Sequence, residues 1–354
     1  MSLLFSPMTF RGVTLRNRVV VSPMCEYSSR EGLATDWHFV HLGSRAVGGA
    51  GLILTEAAAV TADGRISAAD LGIYADDHVD PLARIFRFLE THGAVPGMQL
   101  AHAGRKGSTA QPWHGGQKVE VKDGGWVPVA PSAVAFDTNY PEPKELTVGE
   151  IDQIVDDFRA AARRALTAGF QVVEVHAAHG YLAHQFLSPL CNFRKDEYGG
   201  SFENRVRFPL RVARVVREVW PAKWPVLVRV SATDWTEGGW ELEQSIELCK
   251  QLKALGIDLI DVSSGGAVPG VRIPVGPGYQ VKFAAAVRKA VGIATAAVGM
   301  ITDAAQAQTI LTTEQADIVF LAREILRDPY WPLRAAQQLG VRVKPPVQYE
   351  RAWT

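Results

Sequence analysis

The sequence contains little cysteine and has no excess of charge of either sign. Its three cysteines, Cys25, Cys191 and Cys249, lie far apart among 354 residues. An odd, unclustered set argues against a disulfide framework, a structural zinc site or an iron–sulfur centre. The formal net charge of +0 gives no electrostatic support for a nucleic-acid partner. We therefore expect no bound metal, no nucleic acid and a reducing compartment.

Long apolar runs are also absent. No run approaches the roughly 20 residues that a membrane-spanning helix needs. Apolar residues nevertheless make up 47% of the chain, which is enough for a large core. The first residues, Met1 to Pro7, lack the basic and then apolar plan of a signal peptide. These features predict a soluble, cytoplasmic protein that does not bind membranes.

What the sequence does have is a regular alternation of short β-rich runs and helical patterns. The predicted strands are residues 19–22, 51–56, 97–101, 172–176, 226–231, 259–263, 295–299 and 317–321. Continuous apolar runs of this length are typical of parallel strands whose outer face is covered by helices. Eight strand–helix units predict a closed α/β barrel, the (β/α)₈ TIM barrel, in a single domain over residues 1–340. An open doubly wound sheet is the alternative, but no Gly-x-Gly-x-x-Gly turn follows any strand.

Helix boundaries and one long loop complete this outline. Thr147 and Glu150 predict a capping box, and Gly169 ends the apolar helical pattern that follows. Another helix is predicted to open at Thr302-Asp303, after the seventh strand. The stretch from Gly104 to about Lys144 lacks the alternation and is rich in Gly, Pro and Trp. A loop this long after the third strand predicts a lid or a binding insertion.

Polar side chains gather where the predicted strands end, which is where TIM barrels carry their reactive groups. The fourth strand ends in His176, His179 and Tyr181. A neutral imidazole can donate a hydrogen bond to an oxygen that gains charge, and a phenol can deliver a proton. A metal-binding pair or two satisfied loop histidines are the alternative interpretations.

Two further positions at the strand ends indicate a phosphate site. Gly299 lets backbone amides approach an anion just before a helix begins, and Arg323, at the end of the last strand, adds a guanidinium that can bind an anion through two N–H groups.

Arg229 lies inside the apolar fifth strand and has two interpretations. It could pair with a core carboxylate, Asp261 or Glu174, or it could face an electron-rich cofactor ring.

Several motifs resemble those of the old yellow enzymes. They are Ser22-Pro-Met-Cys25, Gln99-Leu-Ala-His-Ala-Gly-Arg-Lys106, His176-Ala-Ala-His-Gly-Tyr-Leu182, His184-Gln-Phe-Leu-Ser-Pro189, Asp196-Glu-Tyr-Gly-Gly-Ser-Phe-Glu-Asn-Arg205 and Arg229-Val-Ser231. These motifs are long and collinear, and the resemblance covers almost the whole chain. Cys25, Tyr27 and the terminal Gln348-Tyr-Glu-Arg-Ala-Trp353 resemble the thermophilic-like branch, which includes YqjM-like enzymes and xenobiotic reductase A.

The resemblance implies an FMN-dependent oxidoreductase that reduces activated alkenes with NADPH or NADH. The nicotinamide would reduce the flavin and leave, and an α,β-unsaturated carbonyl compound would then occupy the same site. Hydride would pass from flavin N5 to the β-carbon, and Tyr181 would protonate the α-carbon. A site shared in turn by donor and acceptor implies ping-pong kinetics.

The resemblance also implies cofactor-binding residues. Those that would border the flavin are Pro23, Met24, Cys25 and Ala57. Gln99 would bind the pyrimidine edge of the flavin, and Arg229 would stabilise the reduced ring. Those that would hold the ribityl chain and the phosphate are Ser264, Gly265, Gly299, Met300, Ala322 and Arg323. Relatives often have glycine where this chain has Ala322, and we expect only a small effect of that difference.

For the substrate, the resemblance implies that His176 and His179 bind the carbonyl oxygen. It also implies that Cys25 tunes the reduction potential of the flavin and contacts the substrate together with Tyr27. Lys106 is a candidate contact for the nicotinamide cofactor; the alternative is a solvated lysine. The C-terminal arm, residues 341–354, carries Arg351 and Trp353 as candidate substrate contacts. Because the arginine would reach a neighbouring subunit, a homodimer or a tetramer built of dimers is expected.

Three other functions compete with this interpretation. The first is a relative of the dienoyl-CoA reductases or amine dehydrogenases. Those enzymes need extra domains and an iron–sulfur cysteine cluster, and we expect neither in this sequence. A flavin-free lyase or isomerase that uses a Schiff-base lysine would need a lysine inside a strand, and none is found in the predicted strands. A binding barrel without catalysis would not need the polar rim. Cys191 and Cys249 are interpreted as small buried hydrophobes.

Overall fold

A computed structural model of the protein describes residues 2–353. Within that range, parallel strands close into a barrel: β1 Val19–Val21, β2 Leu52–Ala59, β3 Val95–Ala101, β4 Val172–Ala177, β5 Val226–Ser231, β6 Leu259–Ser263, β7 Ala294–Ala297 and β8 Ile318–Leu321. Neighbours in sequence pair with each other around the ring, and β8 pairs with β1 to close it. The predicted TIM barrel is confirmed, and the open sheet is ruled out.

Helices cover the outer face of this barrel. They are α1 Asp36–Val47, α2 Val79–Thr91, α3 Val148–Ala168, α4 Leu182–Leu187, α5 Phe202–Arg205, α6 Arg207–Val219, α7 Leu242–Ala254, α8 Val281–Val291, α9 Ala304–Thr312, α10 Arg323–Arg327 and α11 Trp331–Gln338. The capping box predicted for α3 is present, since the Thr147 side chain accepts from the Glu150 N–H, and Gly169 ends the helix at φ 102°. Asp303 caps α9 by accepting from two backbone N–H groups. None of the helices within residues 2–353 combines the length and apolarity needed to cross a bilayer.

An N-terminal hairpin that the sequence did not predict closes one end of the barrel. Its antiparallel strands are Met8–Phe10 and Val13–Leu15. Val13 and Leu15 are buried and pack with residues near the N-terminal ends of the strands, including Leu52, Val172 and Leu227. Because this end is filled by apolar side chains, the polar groups are concentrated at the other end.

Two predicted C-terminal strand ends differ from the structure by more than one residue. β2 continues three residues beyond Glu56 and ends at Ala59. Its register with β3 shifts between Leu54 and Ala57, and pairing resumes after this irregularity, so the strand is longer than predicted. β7 ends at Ala297, two residues before the predicted end at Gly299. Gly299 and Met300 have φ values of 117° and 50°, so the chain leaves the extended conformation there.

The long loop after β3 contains short turns rather than extended chain. Three-residue 3₁₀ turns lie at Gly104–Lys106, Pro112–His114 and Val121–Asp123, and Val129–Ala130 pairs with Lys144–Glu145. Another 3₁₀ turn, Asp76–His78, precedes α2. After α11 the arm is irregular up to a 3₁₀ turn at Val347–Ala352. The domain boundary at residue 340 and the contact of the arm with a neighbouring subunit stay predictions.

Candidate active site

The end of β4 brings His176, His179 and Tyr181 together at the open end of the barrel. The centres of the His176 and His179 rings are 5.2 Å apart, and those of His176 and Tyr181 are 5.0 Å apart. His179 has a φ of 59°, a conformation that a residue with a side chain adopts at a cost. This tight turn directs three polar side chains, close together in sequence, into one space.

Serines on the next two strands hold His179 in this conformation. Its backbone N–H donates to Ser231 Oγ at 2.9 Å, and its ring Nε2 lies 2.6 Å from Ser263 Oγ. Lys106 Nζ donates to the carbonyl oxygens of His179 and Gly266, at 2.9 and 3.0 Å. Lys106 is therefore not a solvated lysine, although its predicted contact with a nicotinamide stays untested. Neither serine was predicted as a site residue.

Burial fixes the protonation states of this cluster. Burial first, and then the positive charge of Arg229, lowers the pKa of both His176 and His179 well below the usual value. Burial raises the pKa of Tyr181 well above that of a free phenol. Near neutral pH the two imidazoles are therefore neutral and the phenol is protonated, so all three side chains can donate a hydrogen bond.

A layer of polar side chains crosses the barrel below this cluster. Arg229 Nε lies 2.7 Å from Asp261 Oδ2, and Arg229 Nη2 donates to Ser22 Oγ at 3.0 Å. The alternative interpretation, a pairing of Arg229 with a core carboxylate, is therefore observed with Asp261 as the partner, and the contact of Arg229 with a flavin stays a prediction. Although Arg229 Nε is close to Asp261, it is buried without a hydrogen bond to any residue among 2–353, so the guanidinium keeps donor capacity for a bound molecule.

The amide of Gln99 belongs to the same layer. Its nitrogen donates to Glu174 Oε1 at 2.8 Å, which leaves the amide oxygen for another partner. Burial, and then the nearby Asp261 carboxylate, raises the pKa of Glu174 to about 8. Burial also raises the pKa of Asp261 to about 6, against the opposing effect of Arg229. The layer therefore combines the Arg229 guanidinium with two carboxyl groups whose pKa values are raised above the usual range.

The segment after β1 forms one wall of the site. Pro23, Met24, Cys25 and Tyr27 are half-buried. Burial, and then the carboxylates of Asp70, Glu56 and Glu26, raises the pKa of Cys25 well above that of a free thiol, so the sulfur stays protonated. The ring of Tyr27 meets Trp113 of the long loop edge to face, with ring centres 5.7 Å apart.

Glu56 fixes this wall, a role that sequence reasoning missed. Glu56 Oε2 accepts the backbone N–H of Glu26 at 3.0 Å, and Glu56 Oε1 lies 2.8 Å from His38 Nε2. The Glu26 carboxylate lies 3.2 Å from His41. An acidic residue within a buried strand was the available indication in the sequence, because a buried carboxylate needs partners.

The predicted phosphate residues gather at the ends of β6, β7 and β8. Ser264 Oγ donates to Gln280 Oε1 at 2.6 Å, and Gly265 follows with a φ of 71°. A Cβ at Gly299 would lie 2.9 Å from the Tyr279 ring, so only glycine leaves this space open. Arg323 is exposed after Ala322, and its charge lowers the pKa of Tyr279 against the larger effect of burial.

These residues fit FMN. A glycine-lined concavity beside an exposed arginine suits a phosphate. The remaining donor capacity of the Arg229 guanidinium and the free amide oxygen of Gln99 suit a ring with polar edges. Pro23, Met24 and Ala57 offer backbone and apolar surface for its face. Their individual contacts with FMN stay predictions.

The C-terminal candidates lie apart from this cluster within the single chain. Trp353 and Glu350 line a groove with Leu333 and Gln337 of α11. Arg351 is exposed and lies in the same terminal 3₁₀ turn. Within one chain, Trp353 therefore packs beside α11, and the contact of Arg351 with a neighbouring subunit stays a prediction.

Comparisons with known proteins agree with this fold. The family model described as NADH:flavin oxidoreductase / NADH oxidase family matches residues 3–341. An NADPH dehydrogenase of Geobacillus thermodenitrificans (strain NG80-2) is 49% identical over 354 residues, 99% of either chain. Morphinone reductase in complex with tetrahydroNAD is similar with a TM-score of 0.79 and 29% identity, over 97% of this chain and 92% of that one.

The chain therefore belongs to the NADH:flavin oxidoreductase / NADH oxidase family. The predicted membership of the old yellow enzymes is confirmed, and the protein is an FMN-dependent oxidoreductase with a nicotinamide reductant. 2-Naphthoyl-CoA reductase is also similar, with a TM-score of 0.86 and 27% identity over 95% of this chain. This chain spans only 52% of that longer protein.

Proposed function

We propose that this enzyme reduces the carbon–carbon double bond of α,β-unsaturated carbonyl compounds with electrons from NADPH or NADH. The supporting observation is the convergence of His176, His179 and Tyr181, two neutral donors and a protonated phenol, with ring centres about 5 Å apart. This set provides both hydrogen bonds for a carbonyl oxygen and a proton for a carbon atom.

His176 and His179 act on the carbonyl oxygen. Both rings donate to that oxygen, and their hydrogen bonds strengthen as enolate charge develops on it. Ser263 and Ser231 keep the His179 ring and backbone in place, so these donors need no rearrangement during the reaction. Bound FMN supplies the hydride chemistry, which no side chain of the protein can provide.

Tyr181 gives its proton to the α-carbon of the substrate. Its elevated pKa keeps the phenol protonated until a strongly basic enolate carbon is present. Arg229 and Gln99 hold the polar edge of the flavin, and Arg323 with the backbone at Gly299 holds the phosphate. Lys106 stabilises the His179 turn and borders the site of the nicotinamide.

Steady-state kinetics test this function. A panel of enones, maleimides and nitroalkenes, each with NADPH and with NADH, should yield saturated products. We expect parallel lines in double-reciprocal plots, because donor and acceptor use the same site in turn. Intersecting lines, or an enzyme that oxidises NADPH but leaves every alkene unreduced, would contradict the proposal.

Replacing Cys25 with serine is expected to shift the flavin midpoint potential while FMN stays bound. A hydroxyl donates a stronger hydrogen bond than a thiol, and a change of about 1 kcal/mol corresponds to roughly 20 mV for a two-electron couple. The shift should be positive, because a stronger donor favours the more negative reduced ring. Spectroelectrochemical titration measures it. Cys249→Ser, buried in α7, is the control; equal potentials in all three proteins would remove the tuning role.

The oligomeric proposal concerns the C-terminal arm. Arg351 and Trp353 would complete the substrate site of a neighbouring subunit in a homodimer or a tetramer built of dimers. The position of Trp353 in a groove beside α11 supports this arrangement. Light scattering of the full chain, and of a chain that ends at residue 340, measures whether the arm holds the assembly together.

A further inference from the structure

A small cavity adjoins Tyr181. Its walls are alanine side chains of β2 and of the β3 end, together with Gly64 and Ile66 of the loop that follows β2. The groups in these walls that can exchange a proton are the side chains of Asp70 and Tyr181. The free space is about that of one water molecule. An acid and the predicted proton donor thus face the same small volume.

Polar atoms next to this cavity indicate that it holds water. Thr61 Oγ1 and His102 Nε2 are buried, and no described residue forms a hydrogen bond with either. Both side chains adjoin Gly64, where a Cβ would lie 2.8 Å from Thr61 Oγ1 and 2.9 Å from His102 Cδ2. Buried polar atoms without a protein partner are normally satisfied by ordered water.

Asp70 is held firmly at the edge of the cavity and is 2% exposed. Its Oδ1 accepts from Ser67 Oγ at 2.7 Å and from the Ser67 N–H at 3.2 Å, and its Oδ2 accepts from the Ile66 N–H at 2.7 Å. Ala68, two residues earlier in the same loop, is exposed. The buried carboxyl group therefore belongs to a loop that reaches the protein surface.

The surroundings of Asp70 allow its proton to exchange near neutral pH. Burial, and then the Glu56 carboxylate, raises the pKa of Asp70 to about 7, although the bonds from Ser67 and Ile66 oppose this rise. The other titratable groups that face it are Cys25, Tyr27 and Tyr181, all of which stay protonated at that pH.

We propose that Asp70 returns a proton to Tyr181, through water in this cavity, after each reduction of substrate. The inference rests on the proposed function of Tyr181. When the phenol protonates the α-carbon, a phenolate remains behind it. The Asp70 carboxyl proton passes to the water, the water gives a proton to the phenolate, and solvent reprotonates the Asp70 carboxylate. One solvent proton is thus consumed for each alkene.

The variant Asp70→Asn separates the first turnover from later ones. Tyr181 starts protonated, so oxidation of the reduced enzyme by one equivalent of cyclohexenone should keep the wild-type rate. Turnover with excess enone and NADPH should fall about tenfold or more, because the phenolate has lost its proton source. An unchanged turnover rate, or an equal loss in the single-turnover rate, would overturn the relay.

Ser67→Ala provides a milder second variant, because the backbone hydrogen bonds to Asp70 remain. Loss of the Ser67 hydroxyl removes a bond that favours the carboxylate, so the pKa of Asp70 should rise. The decline of turnover at alkaline pH should therefore begin at a higher pH than in wild type, with the rate at low pH preserved. A decline at the wild-type pH would contradict the proposal.

Infrared spectroscopy gives a readout that does not depend on activity. The wild-type protein should show a protonated carboxyl band that titrates near pH 7, is lost in Asp70→Asn and titrates at higher pH in Ser67→Ala; absence of that band would overturn the proposal. Tyr181→Phe separates the two hypotheses. An unchanged single-turnover rate in that variant refutes the donor role of Tyr181, whereas a slowed one with normal Asp70→Asn turnover refutes only the relay.

Discussion

Replacing both His176 and His179 with alanine is expected to reduce kcat for cyclohexenone by about 10²–10³ or more. Loss of one oxyanion donor typically costs about 2.7–4 kcal/mol of transition-state stabilisation. The two rings are neutral donors with a shared target, and their contributions are not expected to add fully. Steady-state and single-turnover measurements with cyclohexenone would give the loss in kcat and in the rate of flavin oxidation.

The control for this experiment is His92→Ala. His92 lies at the end of α2, where its ring stacks on Phe88 and its Nδ1 lies near the Phe88 carbonyl oxygen, away from the polar rim. That variant should keep its enone reductase activity. If the double variant retained wild-type turnover with FMN bound, the carbonyl oxygen would have to be held by other groups, and the assigned role of the histidines would be refuted.

The barrel could be predicted from the sequence because its strands are buried on both faces. Such strands need only a continuous apolar run, and β5 and β6 have the predicted bounds. Helix α3 was equally clear, since its capping box and its terminal Gly169 are local features. In each case the energetic reason for the element lies within the segment itself.

The N-terminal hairpin and the β2 irregularity could not be predicted in this way. Strands of three residues, such as Val13–Leu15, are too short to show a period, and their burial depends on the end of a barrel that forms from distant segments. The extension of β2 depends on its register with β3, which no local pattern encodes. Both features are consequences of tertiary packing.

The candidate site could likewise be predicted only in part from the sequence. Motifs on the strand ends identified His176, His179 and Tyr181, and the structure brings them together. The partners that hold them are single polar residues on other strands, such as Ser263 for His179 and Ser22 for Arg229. Serine is common throughout the sequence, so only the pairing of strands in space distinguishes these two from the others.

Replacing Tyr181 with phenylalanine is expected to lower kcat for enone reduction by about 10²–10⁴, the usual contribution of general acid catalysis. The ring remains, so packing against His176 should be preserved, and only the acidic proton is lost. Reduction of the flavin by NADPH, and electron transfer to ferricyanide, should continue at wild-type rates, because neither reaction protonates a carbon atom. Stopped-flow absorbance of the flavin would follow each half-reaction separately.

Tyr198→Phe is the matched control for this substitution. Tyr198 is also buried, but its hydroxyl contacts Arg211 among the outer helices, outside the active site. The Tyr198→Phe variant should therefore reduce cyclohexenone at the wild-type rate. In deuterated water, wild-type enzyme should place deuterium on one face of the α-carbon of a prochiral enone, because a fixed phenol delivers it. If Tyr181→Phe kept both the rate and this facial selectivity, another group would have to be the proton donor.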